Sequence, residues 1–233
     1  KGQSKKEIFL STYICHPSMA NNELSGPLVA TALYNYFVKK KNKYSIRFIF
    51  IPETIGSITY LSKYYKTLKK RVVAGFNLTC LGDERNYSFL PSKYESESNL
   101  ASIEAFKDLK LNFKKFSFLT RGSDERQYNA PGIDLPIASI MRSKYGTYRE
   151  YHTSKDDFKF VTIKGLRGGY KVLKKAIQIL LKKNLPIPKK RKIIETYPTN
   201  LIICEPQMSK KKLYPSLGVK NARSQKVKDI MNF

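Results

Sequence analysis

Only two histidines occur in the chain, and each sits in a polar loop beside acidic residues. His16 lies in Cys15-His16-Pro17-Ser18, and His152 lies in Glu150-Tyr151-His152-Thr153-Ser154. Imidazole changes charge near neutral pH and, when neutral, offers a ring nitrogen to a metal, so these positions suit acid–base catalysis or metal binding. Carboxylates recur in comparable settings. The stretch from His16 to Gly26 is dense with small and amide side chains and carries Glu23. Glu53 lies in Pro52-Glu53-Thr54-Ile55-Gly56-Ser57, Asp83 closes Thr79-Cys80-Leu81-Gly82-Asp83, and Asp124, Glu125 and Arg126 follow Arg121-Gly122-Ser123.

Zinc takes imidazole nitrogen and carboxylate oxygen, and a catalytic site keeps one position for water, so this collection is consistent with a zinc site. Glu53 is placed as a general base, although helix capping by Glu53 or Thr54 explains the same residues equally well. Capping by Asn22 or Ser25, with Glu23 meeting the helix dipole, accounts for one or two residues of the first loop but not for all of it. Asp124, Glu125 and Arg126 either bind charged ends of a substrate or pair with one another on the surface. Nucleophilic catalysis finds less support: Cys15 and His16 are adjacent, and neighbours on an extended backbone point to opposite faces. No nucleophile elbow, Walker loop or dinucleotide fingerprint occurs.

Holding such loops together requires a frame. Strands are expected at residues 7–14, 45–51, 72–78, 87–90, 114–118 and 135–140, and helices at 25–40, 56–70, 98–111 and 162–182. The last helix carries Leu166, Tyr170, Leu173, Ile177 and Leu180 at helical spacing. Its Gly168-Gly169 pair is a weakness unless a neighbour packs close. The alternation predicts an α/β fold, a three-layer α/β/α sandwich with a mostly parallel sheet. Ligands in such sheets bind outside the carboxyl ends of the strands, where both histidines fall. The domain is expected to span residues 1–183. Residues 184–233 read as a basic Pro- and Lys-rich linker with an edge strand at 199–204, a turn at 214–218 and a helix opening at 224–232, the start of a truncated C-terminal unit.

Composition narrows the classes further. The 233 residues are 41% hydrophobic and 12% aromatic, which excludes a disordered chain. No apolar run is long enough for a bilayer, so no membrane partner is expected. Cys15, Cys80 and Cys204 make neither a disulfide framework nor a CxxC knuckle, which fits a reducing cytoplasm. Lys1 is followed by no signal peptide, and the chain is expected to begin inside a longer protein. The net charge of +26 invites a nucleic-acid reading, yet 34 of the 44 basic residues are Lys, and Arg is the residue suited to bidentate phosphate and guanine contacts. Nucleic acid is therefore not expected on the main domain. The tail from Lys182 to Lys228 is where it could bind, with a steep salt dependence. Against that background, 8 of the 18 acids sit in the candidate loops.

In chain order, the His16 loop, the Asn22-x-x-Ser25-Gly26 helix start, the Glu53 loop with its Gly-Ser, the loop ending in Asp83 and the final His152 resemble the zinc aminopeptidases. That superfamily includes bacterial leucyl aminopeptidases and glutaminyl cyclases. More closely, CHPSMANNELSGP, PETIGS, TCLGD, SDERQY and EYHTSKDD resemble the aminopeptidase-like domain proteins of bacterial surface-polysaccharide gene clusters. Each motif alone is weak; the combination, over residues 7–183, is specific. The resemblance implies a zinc-aminopeptidase-like fold, a winged-helix unit after the domain, and hydrolysis of a peptide or amide bond. It makes His16 the first zinc ligand, His152 the last, and Glu53 the base that takes a proton from the attacking water.

Three positions depart from the pattern. Asn22 stands where a bridging Asp is expected, Thr54 where a second Glu is, and Thr79 where a ligand Asp is. Those changes delete three anionic ligands, and an Asn carbonyl is a weak substitute. The expected cofactor is therefore one zinc ion held by His16, His152 and a replacement carboxylate, Glu23 or Asp83. Asn22, Asp124, Arg126 and Tyr151 are the expected contacts to a small peptide or amide-containing substrate. The resulting reading is a metal-dependent hydrolase of aminopeptidase type. Its alternative is a catalytically inactive, peptidase-like binding module in surface-polysaccharide biosynthesis.

Overall fold

A computed structural model describes residues 1–185 of the chain. Its strands are β1 (Ser4–Tyr13), β2 (Tyr44–Ile51), β3 (Val72–Leu78), β4 (Ser88–Leu90), β5 (Lys114–Lys115) and β6 (Ile137–Met141). They form a six-stranded sheet in the order β2-β1-β3-β6-β4-β5. Every pairing is parallel except that of β4 with β6. The helices are α1 (Ser25–Phe37), α2 (Ile55–Arg71), α3 (Glu97–Asp108), α4 (Glu125–Tyr128) and α5 (Ile163–Lys182), with a π-helical turn at Ala20–Leu24 ahead of α1.

The central strands are buried on both faces, as parallel strands under two helical layers must be. In β1, successive side chains alternate. Ile8 and Leu10 join Val29 and Leu33 of α1, Ala105 of α3 and Leu173 of α5. Phe9, between them, joins Leu61 and Leu68 of α2 and Tyr128 of α4. The sandwich therefore has α1, α3 and α5 on one face and α2 and α4 on the other, which is the three-layer α/β/α arrangement. Each large side chain buried this way contributes about 1.5–3 kcal/mol.

The glycines that looked like a weakness in α5 are there for close approach. A Cβ on Gly169 would lie 2.8 Å from the Leu81 carbonyl oxygen, and one on Gly165 would overlap the carbonyl oxygen of Gly82. The start of α5 is thereby pressed onto the loop after β3, the loop that carries Asp83. Thr162 caps this helix, accepting the Gly165 N–H at 2.9 Å. Some expected elements are shorter. The strand at 114–118 is reduced to the two residues of β5, followed by a 3-10 turn at Phe118–Thr120. Helix α3 starts earlier than expected because Ser96 caps it, accepting the Asn99 N–H.

The strand, turn and helix expected at 199–204, 214–218 and 224–232 lie outside the described residues, as does most of the tail proposed to bind nucleic acid. Among the described residues, no helix is long and apolar enough to cross a membrane. The Gly165 contact gives a direct test. Gly165→Ala is expected to lower unfolding free energy by about 1–3 kcal/mol, the usual range for overpacking, in urea denaturation followed by circular dichroism. A Gly132→Ala control, where a Cβ meets nothing within 4 Å, carries only the backbone cost of a positive φ.

Candidate active site at the strand ends

The site is assembled where β1, β2 and β3 end. After β1 the chain stays bonded to its neighbour for one more residue, with Ile14 N–H donating to the Ile51 carbonyl at 3.0 Å. β1 itself ends at Tyr13, and the alternation expected to separate Cys15 from His16 does not hold there. Cys15 Sγ lies 3.2 Å from His16 Nδ1. Both turn toward Glu23, which the π-helical turn buries to 3% exposure. His16 Nδ1 is 2.7 Å from Glu23 Oε1, and Cys15 Sγ is 3.7 Å from the same oxygen. The Cys15 N–H donates to Glu23 Oε2 at 2.9 Å, and the Asn22 side-chain amide donates to Oε1 at 2.9 Å. Among the described residues, this is the one group of three His, Cys, Asp or Glu side chains whose donor atoms lie mutually close enough to hold a metal.

His152 comes in from the loop before α5. Its ring centroid is 4.9 Å from that of His16, and Tyr151 stacks on it at 3.9 Å. Burial and the facing His16 ring hold His152 below the ordinary histidine range, while Glu23 and Asp156 oppose the shift. Its loop is tied to the first one by Asp156, which accepts the Asn21 N–H at 2.6 Å and the Asn22 N–H at 3.1 Å. Asp156 thus caps the turn that carries Glu23. Sequence reasoning missed this role because the partners lie 135 residues apart, although an acid following the final His motif was visible.

Glu53 follows β2 and is aimed by an unusual backbone. Thr54 has φ 61° and ψ −66°, and Ile55 N–H donates back to the Glu53 carbonyl at 2.6 Å. This is a γ-turn of the strained, positive-φ kind, and for a β-branched residue it costs about 1–3 kcal/mol. It is held by Asp124, whose Oδ1 accepts the Thr54 N–H and the Ser57 hydroxyl, each at 2.8 Å. The Ser123 hydroxyl donates to Glu53 Oε1 at 2.7 Å. Burial pushes the Glu53 carboxyl above the usual range, the Ser123 hydrogen bond and the Arg126 charge oppose this, and Glu125 and Glu23 add to it.

Several expectations change. Asp124 is fully buried, so it neither pairs on the surface nor reaches a substrate; it positions the Glu53 turn. Asp83 does not join the histidines. Its two oxygens accept four hydrogen bonds, from Arg85 N–H, Ser143 N–H, the Ser143 hydroxyl and the Asn21 amide, which fills a carboxylate's accepting capacity. The replacement carboxylate near His16 is Glu23. Cys15, set aside on the alternation argument, belongs to the cluster. Burial pushes its thiol up to about 11, so it is not an activated nucleophile.

The three positions where anionic ligands are expected, Asn22, Thr54 and Thr79, are neutral, and Asn22 and Thr79 are satisfied by one another and by Tyr13. Tyr13 hydroxyl donates to Asn22 Oδ1 at 3.2 Å and lies 2.6 Å from Thr79 Oγ1, which donates to the Asn22 carbonyl at 3.1 Å. Such a network offers no charge to a pair of divalent ions, so the residues present do not fit a two-metal centre. The Cys15, His16 and Glu23 donors do fit one metal.

Residues 1–184 match the family model described as a domain of unknown function, DUF4910. The chain belongs to the DUF4910 family. A Clostridium acetobutylicum protein named as a polysaccharide biosynthesis protein with an aminopeptidase-like domain is 37% identical over 219 residues, covering 94% of this chain and 48% of that one. A crystal structure of a protein named as a peptidase from the same organism superposes with TM-score 0.75 and 29% identity, over 99% of this chain and 56% of that one. The zinc aminopeptidase BSAP from Bacillus subtilis superposes with TM-score 0.65 and 19% identity, over 82% and 50% of the two chains, a likeness of fold. This DUF4910 chain thus spans about half the length of the relatives it matches, and its fold is that of the zinc aminopeptidases.

Asp124 supplies a pH test. Burial first, then the Glu53 charge, push its carboxyl up to about 7. The folded state thus holds this proton more tightly than the unfolded chain. The stabilisation is complete at low pH and is lost as pH rises through about 7. Asn keeps an oxygen for Thr54 and Ser57, so Asp124→Asn is expected to fold. The stability of wild type relative to this variant should fall between about pH 4 and 7, by at most about 1.4 kcal/mol per unit, in urea titrations across that range. A pH-independent difference would show Asp124 ionised throughout.

Proposed function

We propose that this domain is a metal-dependent hydrolase of aminopeptidase type that cleaves a peptide or amide bond in a small substrate, within surface-polysaccharide biosynthesis. The observation that carries the reading is the arrangement of Glu53: a carboxyl raised above its usual range, oriented by Ser123 at 2.7 Å, on the same strand-end rim as the His16–Glu23 pair. One zinc ion held at His16 and Glu23, with His152 facing it, would supply Lewis-acid polarisation of the scissile carbonyl.

The chain's own residues do the rest. Glu53 takes the proton of the attacking water and returns it to the leaving nitrogen, and its raised pKa brings it closer to the working pH. The γ-turn at Thr54, held by Asp124, fixes where that carboxylate points. The Arg126 charge keeps Glu53 ionisable in a partly buried setting. Asn22 is buried and pinned by Tyr13 and by Glu23, so its amide fixes the Glu23 carboxylate beneath the substrate. The Tyr151–His152 stack makes a flat wall opposite His16. Ile14, directly after β1, and Ile55, the first residue of α2, are 54% and 74% exposed and give the rim an apolar side suited to an uncharged substrate group. Two free thiols among the described residues, Cys15 and Cys80, accord with a cytoplasmic location.

Glu53→Gln is the decisive variant. With zinc-loaded protein and a panel of aminoacyl amides, hydrolysis is expected to fall at least ~100-fold, as for loss of a general base, with unchanged unfolding midpoint and zinc content. Hydrolysis unaffected by Glu53→Gln overturns the assignment. Saturable ligand binding with no turnover by wild type replaces it with the inactive binding module.

A further inference from the structure

Three donor atoms converge on one point in the first loop, and two of them, from Cys15 and Glu23, are not donors that the fold family's pattern supplies. Cys15 Sγ, His16 Nδ1 and Glu23 Oε1 form a triangle with edges of 3.2, 2.7 and 3.7 Å. We propose that this chain holds a single divalent transition metal through the Cys15 thiolate, His16 and the Glu23 carboxylate, a thiolate-ligated centre in place of the carboxylate-bridged pair. The proposal rests on reading the site as a metal site and names a ligand that this reading does not require.

Geometry separates this from the other use of a Cys, a His and a carboxylate. In a nucleophilic triad the imidazole spans its partners, with one ring nitrogen toward the nucleophile and the other toward the acid. Here the thiol sulfur and the carboxylate oxygen approach the same nitrogen. No proton relay can run through one atom, but a metal ion takes donors that face a common centre. With Zn–S about 2.3 Å and Zn–N and Zn–O about 2.0–2.2 Å, neighbouring tetrahedral donors lie roughly 3.4–3.6 Å apart. Two edges of the triangle are already near that spacing. The third is the His16–Glu23 hydrogen bond, which opens by about 0.7 Å as the ion replaces the shared proton.

Charge and support agree with the geometry. One thiolate and one carboxylate balance a divalent ion, whereas His16 with Glu23 alone leaves it one charge short. The thiol proton leaves on binding, and the hydrogen between His16 Nδ1 and Glu23 gives way to the metal, the neutral ring carrying its N–H at Nε2. The carboxylate is already oriented by the Cys15 N–H and the Asn22 amide, the outer hydrogen bonds that ligating carboxylates have in metal sites. Three protein donors leave a fourth position open, and His152 is the other imidazole nearby, 4.9 Å ring to ring from His16. Thiolate is a soft donor, so the site should prefer zinc or cobalt to magnesium or calcium.

Cobalt(II) titration of the metal-free full chain under anaerobic conditions tests this without reference to activity. One cobalt per chain is expected, with visible d–d bands and a near-ultraviolet thiolate-to-cobalt charge-transfer band. Cys15→Ser should remove the charge-transfer band and weaken cobalt binding at least tenfold, while Cys80→Ala keeps the band. The variant should fold, since Cys15 is exposed. Bound cobalt with no charge-transfer band, or a band that persists in Cys15→Ser, overturns the thiolate ligand and leaves the hydrolase reading intact. No cobalt binding overturns the metal centre itself. A Cys15-dependent band in a protein without turnover upholds the centre and sinks the hydrolase reading instead.

Discussion

Crowding of carboxylates away from water is the constraint on which the strand-end loops depend. Glu23, Asp124 and Glu125 are buried to 3% exposure or less, and Glu53 raises Asp124 while Glu23 and Glu125 raise Glu53. Like charges at this range cannot all ionise without compensation. The chain compensates with neutral donors. Glu125 accepts the Gly122 and Ser123 N–H groups, the Tyr145 hydroxyl and the Asn77 amide. Asp124 takes Thr54 and Ser57, Glu53 takes Ser123, and Glu23 takes Cys15 and Asn22. Of the +26 net charge, Arg126 acts on Glu53 and Lys144 on Glu125.

Supplying that many N–H donors at fixed points bends the backbone where bending is costly. Thr54, Cys80 and His152 all have φ between 52° and 61°, and each follows a strand or opens the final loop. None is Gly. Strain of this kind persists only when the surroundings over-determine it. The surroundings are the sheet pairings of β1 with β2 and β3 and the two apolar layers above and below. A rigid sheet thus holds three strained loops against one another, and Asp156 and Asp124 act as the clamps.

The frame was legible because burial on both faces of a parallel sheet writes itself into the sequence as near-continuous apolar runs, as in residues 7–14 and 72–78. The site was legible only in part, and the misses share a cause. Asp83 reads as a ligand and Asp124 as a substrate contact because acids in loops look alike in sequence; what separates them is which N–H groups they accept, and the deciding ones come from residues about 60 and 70 positions away. Cys15 was set aside by a rule for extended backbone, and the strand ends at Tyr13. Pattern rules describe elements, and chemistry sits at the residues just past them.

Accounting for oxygen lone pairs decides which acids remain available. An ionised carboxylate offers about four accepting positions. Asp83 spends all of them on Arg85, Ser143 and Asn21, and Asp156 spends its oxygens on the turn at Asn21 and Asn22. Diverting either to a cation would orphan buried N–H groups, at about 1–3 kcal/mol each. Glu23 and Glu53 are less committed to the backbone: of their contacts above, only the Cys15 N–H is a main-chain donor, and the others come from side chains. The carboxylates that hold the loops and the carboxylates that can do chemistry are therefore different ones. The division follows from hydrogen-bond capacity, before any ligand is considered.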